Sequence, residues 1–240
     1  MTSAAALDNA SVSPGTALVI VGDGKMARML LSFVRHDHPV AGFVVSRMHD
    51  DPDNRVFCNR PVVPFDTVET VFPPETHALF MGIGFRDMNA ARRRRFDEGR
   101  AKGYSFAGYI HPSVMAHDGV TIESPAVVLD HVSVHPGSAV GAGAFISSNV
   151  NIGHDCTVGA GSFINSGVCL GGATVLGEDC FLGINATVGD GVTLGARTFV
   201  GANTLVTRDT ADDTVCYASP GETAPMGSTT YIRTVLGQGG

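Results

Sequence analysis

From Ile122 onward a branched aliphatic residue stands at every sixth position: Val128, Val134, Val140, Ile146, Ile152, Val158, Ile164, Leu170, Leu176, Leu182, Val188, Leu194, Val200 and Val206. Two positions before each of these fifteen, the side chain is small or β-branched, from Val120 and Ala126 through Cys156, Ser162 and Thr174 to Thr204. A strand alternates faces with period two, so both sets point into one narrow core. Glycine follows the aliphatic in nine of the fifteen units, Gly153, Gly171 and Gly183 among them, which suits a tight corner. A fixed short period is the mark of a solenoid. Three such hexapeptides make one triangular coil, and stacking five coils at roughly 4.8 Å gives a prism about 24 Å long. The pattern predicts a left-handed parallel β-helix from about Ile110 to about Val206. Ile110 and Ala116 keep the register, implying an incomplete first coil, and the pattern breaks after Val206 into a capping or loop segment.

The first half of the chain has a different grammar. ALVIVG at 17–22 is an apolar β-like run, followed by GDGKMARMLLSFVRHD, a glycine turn leading into a helix with Met26, Met29, Leu30 and Phe33 expected on its inner face. A strand at 41–46, a short helix around 67–72, a strand at 77–84 and a helix over 87–102 complete a small Rossmann-like α/β domain. The expected layout is a disordered tail over 1–15, an α/β domain over 16–109, and an all-β domain with a C-terminal cap over 110–240.

Charge divides along the same boundary. Residues 1–110 carry thirteen Lys or Arg against twelve Asp or Glu, whereas 111–240 carry only Arg197, Arg208 and Arg233 against eleven acids, which argues against a nucleic-acid partner. No stretch approaches the roughly 18 apolar residues of a membrane span, and the first fifteen residues lack a basic and apolar leader pattern. Five cysteines without CxxC spacing read as reduced thiols, so a cytoplasmic protein is expected, with no metal.

Two places carry candidate chemistry. Gly22, Asp23, Gly24 and Lys25 lie at a helix N-terminus, where backbone amides hold phosphate. The loop lacks the full GxGxxG, and Ser46 and Arg47 stand where a dinucleotide site needs an acid; a nucleotide-sugar site, an NAD site and a structural turn are the three readings. Gly84, Asn89 and Arg92 follow a strand end, where such sheets bind ligands, and the remainder of the Arg92–Arg95 run reads as a solvated basic face. The second place is ISSNVNIGHDCTVG at 146–159. His154 falls two residues after inward Ile152, so it sits on a corner pointing outward, and an imidazole suits general-base work near neutrality.

A small βαβ domain, then HPSV at 111–114, then an uninterrupted hexapeptide helix carrying GHD resembles the bacterial nucleotide-sugar acyltransferases of the sialic acid O-acetyltransferase family, over roughly residues 17–225. The resemblance implies a homotrimer that binds acyl-CoA, acetyl-CoA above all, between neighbouring β-helices and a nucleotide-linked amino sugar in the N-terminal domain. His154 is then the base and Asp155 its carboxylate partner. The activity implied is N-acylation of an amino-deoxy-sugar for surface polysaccharide synthesis, with sugar O-acetylation as the alternative. Amides at Gly171 and Gly172 are expected to meet the thioester oxyanion. Asn149, Asn165 and Asn185 either contact substrate or pantetheine or form an inward ladder, and Gly183 lies near the same cofactor. Phe163 stands where such enzymes commonly carry a second histidine that contacts acyl-CoA, and the usual basic ending is replaced by YASPGETAP, leaving Arg208 as the cation for the CoA phosphates. A γ-type carbonic anhydrase would need a third ligand where Gly159 stands, with His131 and His135 unsupported as a pair. A non-enzymatic trimeric scaffold is the remaining alternative.

Overall fold

The computed structural model describes Val12 and residues 16–46 and 56–235. All but one of the residues expected in a tail lie outside these; Val12 is buried against the N-terminal core.

The N-terminal unit is a sheet in the order β3-β4-β2-β1-β5-β6, made of β1 (Ala17–Val21), β2 (Val40–Val45), β3 (Val56–Phe57), β4 (Arg60–Pro64), β5 (His77–Met81) and β6 (Phe106–Ala107). Its pairings are parallel except for the β3–β4 hairpin. β1 and β5 read as continuous apolar runs because both of their faces are covered. Helix α1 (Lys25–Val34) lies on one face and α3 (Ala90–Ala101), with the short α2 (Val68–Val71), belongs to the core of the other.

Two details differ from expectation. α1 buries Ala27, Leu30, Leu31 and Val34, leaving Met29 38% exposed, because the small Ala27 permits close approach to Gly82 and the sheet. The helix expected from 87 starts at Ala90, since Asp87, Met88 and Asn89 are all left-handed, with φ of 51°, 46° and 66°. Three left-handed residues in a row cannot belong to a right-handed helix.

From Tyr109 the chain coils into a left-handed prism of three parallel sheets with seven, six and five strands. Each two-residue strand pairs with the strand eighteen residues later, as Asn151–Ile152 does with Cys169–Leu170. The inward aliphatics form one buried column, with Ser138, Ser162, Thr174, Thr198 and Thr204 buried among them. Ser138, Ser162 and Thr174 survive there because each hydroxyl donates to a corner carbonyl.

The first coil is complete rather than partial: Tyr109–Ile110, Met115–Ala116 and Thr121–Ile122 contribute one strand to each sheet. The last is also longer than expected, for Val215–Cys216 pairs with Phe199–Val200 and Thr210 bridges Leu194 across an irregular turn. A coil of sixteen residues in place of eighteen is tolerated at the end of the stack, where only one neighbouring coil has to be matched. An exposed helix, α4 (Ser228–Val235), follows.

The three outer faces differ. On the seven-stranded face the outward positions are Tyr109, Val127, Phe145, Phe163, Phe181, Phe199 and Val215, one per strand. Phe145 stacks on Phe163 at 4.5 Å and Phe181 on Phe199 at 4.7 Å. This aromatic face is where the N-terminal domain sits, for Phe145, Phe163 and Phe181 share one apolar cluster with Leu18, Leu30 and Phe80. Phe163 is therefore a junction residue, packed by Phe85 and with the Arg92 guanidinium 5.5 Å above its ring.

Candidate active site

His154 and Asp155 occupy the corner between the six-stranded and five-stranded sheets. Asp155 is left-handed, φ 53°, which turns its carboxylate back alongside the preceding imidazole, and His154 Nδ1 lies 2.9 Å from Asp155 Oδ2. With Nδ1–H donating to the carboxylate, Nε2 carries the lone pair. Both side chains are open in the single chain, 65% and 70% exposed.

Nε2 is directed along the prism toward the next coil. A Cβ on Gly172 would lie 2.7 Å from His154 Cε1, 2.9 Å from Cδ2 and closer still to Nε2, so the ring edge rests over bare glycine backbone. The strand register stacks residues 154, 172, 190 and 208 into one column, which puts Arg208 on the same corner three coils away, about 14 Å at the usual strand spacing. Arg208 borders a shallow 460 Å³ depression with Leu205, Thr207 and Tyr217.

The amides expected to serve an oxyanion are already used. Gly171 N–H donates to Val188 O at 2.8 Å and Gly172 N–H to Asp190 Oδ1 at 2.7 Å, so neither is a free donor in this chain. Asn165 Nδ2 donates to Leu182 O at 2.8 Å, tying two coils together. Gly183 is a packing position, where a Cβ would come within 2.5 Å of Ala202 N. Asn149 and Asn185 are exposed left-handed corner residues rather than members of an inward ladder.

The second candidate region is a cleft of about 700 Å³ at the carboxyl ends of β1, β2 and β5. Gly22, Asp23, Gly24, Lys25, Ser46 and Gly84 all line it, and Gly22 needs its φ of 105° to turn the chain from β1 into α1. Arg47 lies outside the described residues. The amides of the first turn of α1 face this space without a capping side chain, as an anion site requires.

Asn89 and Arg92 do not belong to the cleft. Arg92 is 3% exposed, donating to Gly143 O at 2.7 Å and Gly161 O at 3.0 Å, while Asn89 Nδ2 donates to Asp179 O at 3.0 Å. Together they hold three successive turns of the corner between the five-stranded and seven-stranded sheets. Burial pushes the Arg92 guanidinium down to about 10, still charged at neutral pH. The cations that do line the cleft are Lys25, Arg86, Arg94 and Arg95. The arginine run is thus split by helix geometry: residue 92 faces the prism, 93 meets Glu178 and Asp179, and 94 and 95 face the cleft. Arg86 and Arg94 were not singled out from sequence: Arg86 precedes three left-handed residues and lies outside α3, so no helical spacing links it to Arg94.

Comparison with known proteins agrees with this architecture. The bacterial transferase hexapeptide model matches residues 173–208, and the hexapeptide repeat of succinyl-transferase matches 132–166 and 149–171. No curated protein matches the sequence significantly. Among solved structures, PerB from Caulobacter crescentus, crystallised with CoA and GDP-perosamine, is 30% identical with a TM-score of 0.75 over 85% of this chain and 95% of its own. The acetyltransferase domain of PglB from Neisseria gonorrhoeae is 22% identical with a TM-score of 0.74, covering 88% of this chain and all of that domain, and shares the fold. WeeI from Acinetobacter baumannii, 14% identical with a TM-score of 0.66 over 85% of this chain and 97% of its own, does likewise. The chain belongs to the hexapeptide-repeat, CoA-dependent acyltransferases that modify nucleotide-linked sugars.

Proposed function

We propose that the protein transfers an acetyl group from acetyl-CoA to the amine of a nucleotide-linked amino-deoxy-sugar, a step in the cytoplasmic preparation of sugars for surface polysaccharide. The observation that carries this reading is the His154–Asp155 pair at an open solenoid corner, in a chain that also has a cation-lined cleft at a helix N-terminus. PerB, whose structure holds CoA and GDP-perosamine, supports the substrate class.

The chemistry follows from the pair. The sugar amine attacks the thioester carbonyl, His154 Nε2 takes the proton the amine sheds, and the resulting imidazolium is stabilised by Asp155. Collapse of the tetrahedral intermediate breaks the C–S bond, and the imidazolium returns the proton to the departing thiolate, giving amide and free CoA. Gly22–Lys25, Ser46 and the cations Arg86 and Arg94 are the groups for the nucleotide diphosphate, with Arg208 meeting a CoA phosphate at the far end of the catalytic corner.

Within one chain the N-terminal domain covers the aromatic face, whereas His154 stands on the corner opposite that face. A homotrimer, in which a neighbouring copy walls the His154 corner, supplies the missing side of the acyl-CoA site. The test is a screen of GDP-, UDP- and dTDP-linked amino sugars with acetyl-CoA, reading released thiol and the mass of the sugar product. A mass gain of one acetyl group on an amino sugar, absent from the hydroxyl analogue, is the expected result; transfer to the hydroxyl analogue alone would replace N-acetylation with O-acetylation.

A further inference from the structure

We propose that Gly172 and Asp190 are positioning residues for the acyl transfer, which set the His154 imidazole against a ledge of bare backbone at Gly171–Gly172. The inference rests on the reading of His154 as the base. Its root is a difference among the corner glycines. At Gly153, Gly159, Gly177 and Gly195, an added Cβ would strike backbone atoms of the next coil within 3 Å, so those glycines serve the stacking itself. At Gly172 the three nearest atoms are Nε2, Cε1 and Cδ2 of His154. The atoms a methyl there would meet first are those of the imidazole, not of the framework.

The missing side chain therefore belongs to the chemistry. It lets the ring edge approach the following coil and rest over the backbone of Gly172, which is buried. Gly172 has no left-handed backbone to explain its identity, unlike Gly137, Gly161 and Gly167, whose φ values are 74°, 70° and 73°. Its own position is held by Asp190 from one coil further along, since Oδ1 accepts the Gly172 amide at 2.7 Å and Gly191 N–H donates to Gly172 O at 2.8 Å. Asp190 thus fixes the ledge, and the ledge fixes the ring.

The experiment uses the full-length protein. G172A is expected to fold normally, with the His154 ring turned away from residue 172 in its crystal structure. Its kcat should fall about 10²-fold, the scale of a 1 Å misplacement, while KM for acetyl-CoA stays within about twofold. D190A should lose about tenfold in kcat, and D190N should recover most of it because the amide oxygen still accepts from Gly172. A G172A enzyme with an unmoved ring, or with wild-type turnover, overturns the proposal. D190N as slow as D190A removes Asp190 from it. Absence of any acetyl transfer by the wild type would instead sink the functional reading, and the ring orientation in G172A would still decide the placement of His154.

Discussion

Two corners of one prism are built from the same six-residue turn and put to opposite uses. The corner carrying Gly143, Gly161 and Asp179 is sealed: Arg92 and Asn89 reach its carbonyls from α3 and become buried in doing so. The corner carrying His154 has the same backbone and stays open, with its imidazole 65% exposed. What separates them is who takes the hydrogen bonds that every solenoid corner leaves over. Satisfied by a neighbouring domain, a corner becomes a joint; left to solvent and a substrate, it can host a reaction.

The sharpest way to break that contrast is His154→Ala. Turnover should fall by at least about 10²-fold, the lower end of what a general base contributes, with an unchanged melting temperature, because an exposed ring contributes little to packing. Steady-state kinetics beside a thermal melt decides it; a variant as fast as wild type would leave the open corner without chemistry.

Arg92→Ala tests the sealed corner. It takes the Arg92 donor from one buried and one half-buried carbonyl and removes a large side chain from the junction, at a cost of about 3 kcal/mol. That corresponds to a drop of roughly 6–12 °C in Tm for a chain of this size. The expected signature is the mirror image of His154→Ala: a large thermal loss, with a smaller effect on turnover at a temperature where the variant is folded.

Much of this contrast was readable in the residues, and the unreadable part has a definite physical character. Period-six aliphatics announce the prism because a core one side chain wide admits nothing else, and a histidine two residues past an inward Ile152 must face out. The eighteen-residue recurrence of Phe145, Phe163, Phe181 and Phe199 was equally present and marks the domain-bearing face, but it shows only when the sequence is read one coil at a time. Phe163 looked like a lost cofactor contact for that reason. Arg92 and Asn89 were unreadable in principle, since an arginine in a run of four is ordinarily solvated. Its burial depends on carbonyls fifty and seventy residues away in the chain. The spent amides of Gly171 and Gly172 belong to the same class, for Val188 O and the Asp190 carboxylate meet them only once the coils are stacked.

A gentler version of the comparison is Gly143→Ala in the sealed corner. Gly143 has φ of 69°, and an added Cβ would sit 3.2 Å from the Phe96 ring. A left-handed alanine costs about 1–2 kcal/mol, so chemical denaturation should show that loss, with turnover close to wild type. Set beside Gly172→Ala, the same atom added to the same turn is expected to cost stability at one corner and rate at the other.

The smallest effect probes whether the joint is passive. The far end of α3 is tied down by Lys102, whose Nζ lies 2.6 Å from Glu69 Oε1 and holds that carboxyl below its ordinary value. A carboxylate with a depressed folded pKa adds stability above its unfolded value of about 4.3 and loses it as pH falls through the folded one. Glu69 is partly exposed, so the pair is worth less than about 1 kcal/mol. Melting curves of wild type and Glu69→Gln should differ slightly at pH 7 and converge toward pH 3. Turnover of Glu69→Gln should match wild type at pH 7, because Asn89 and Arg92 anchor the other end of the helix independently. A measurable change in kcat on loosening this remote end would mean that α3 transmits strain through the sealed corner, and the joint would then have to be described as a moving part.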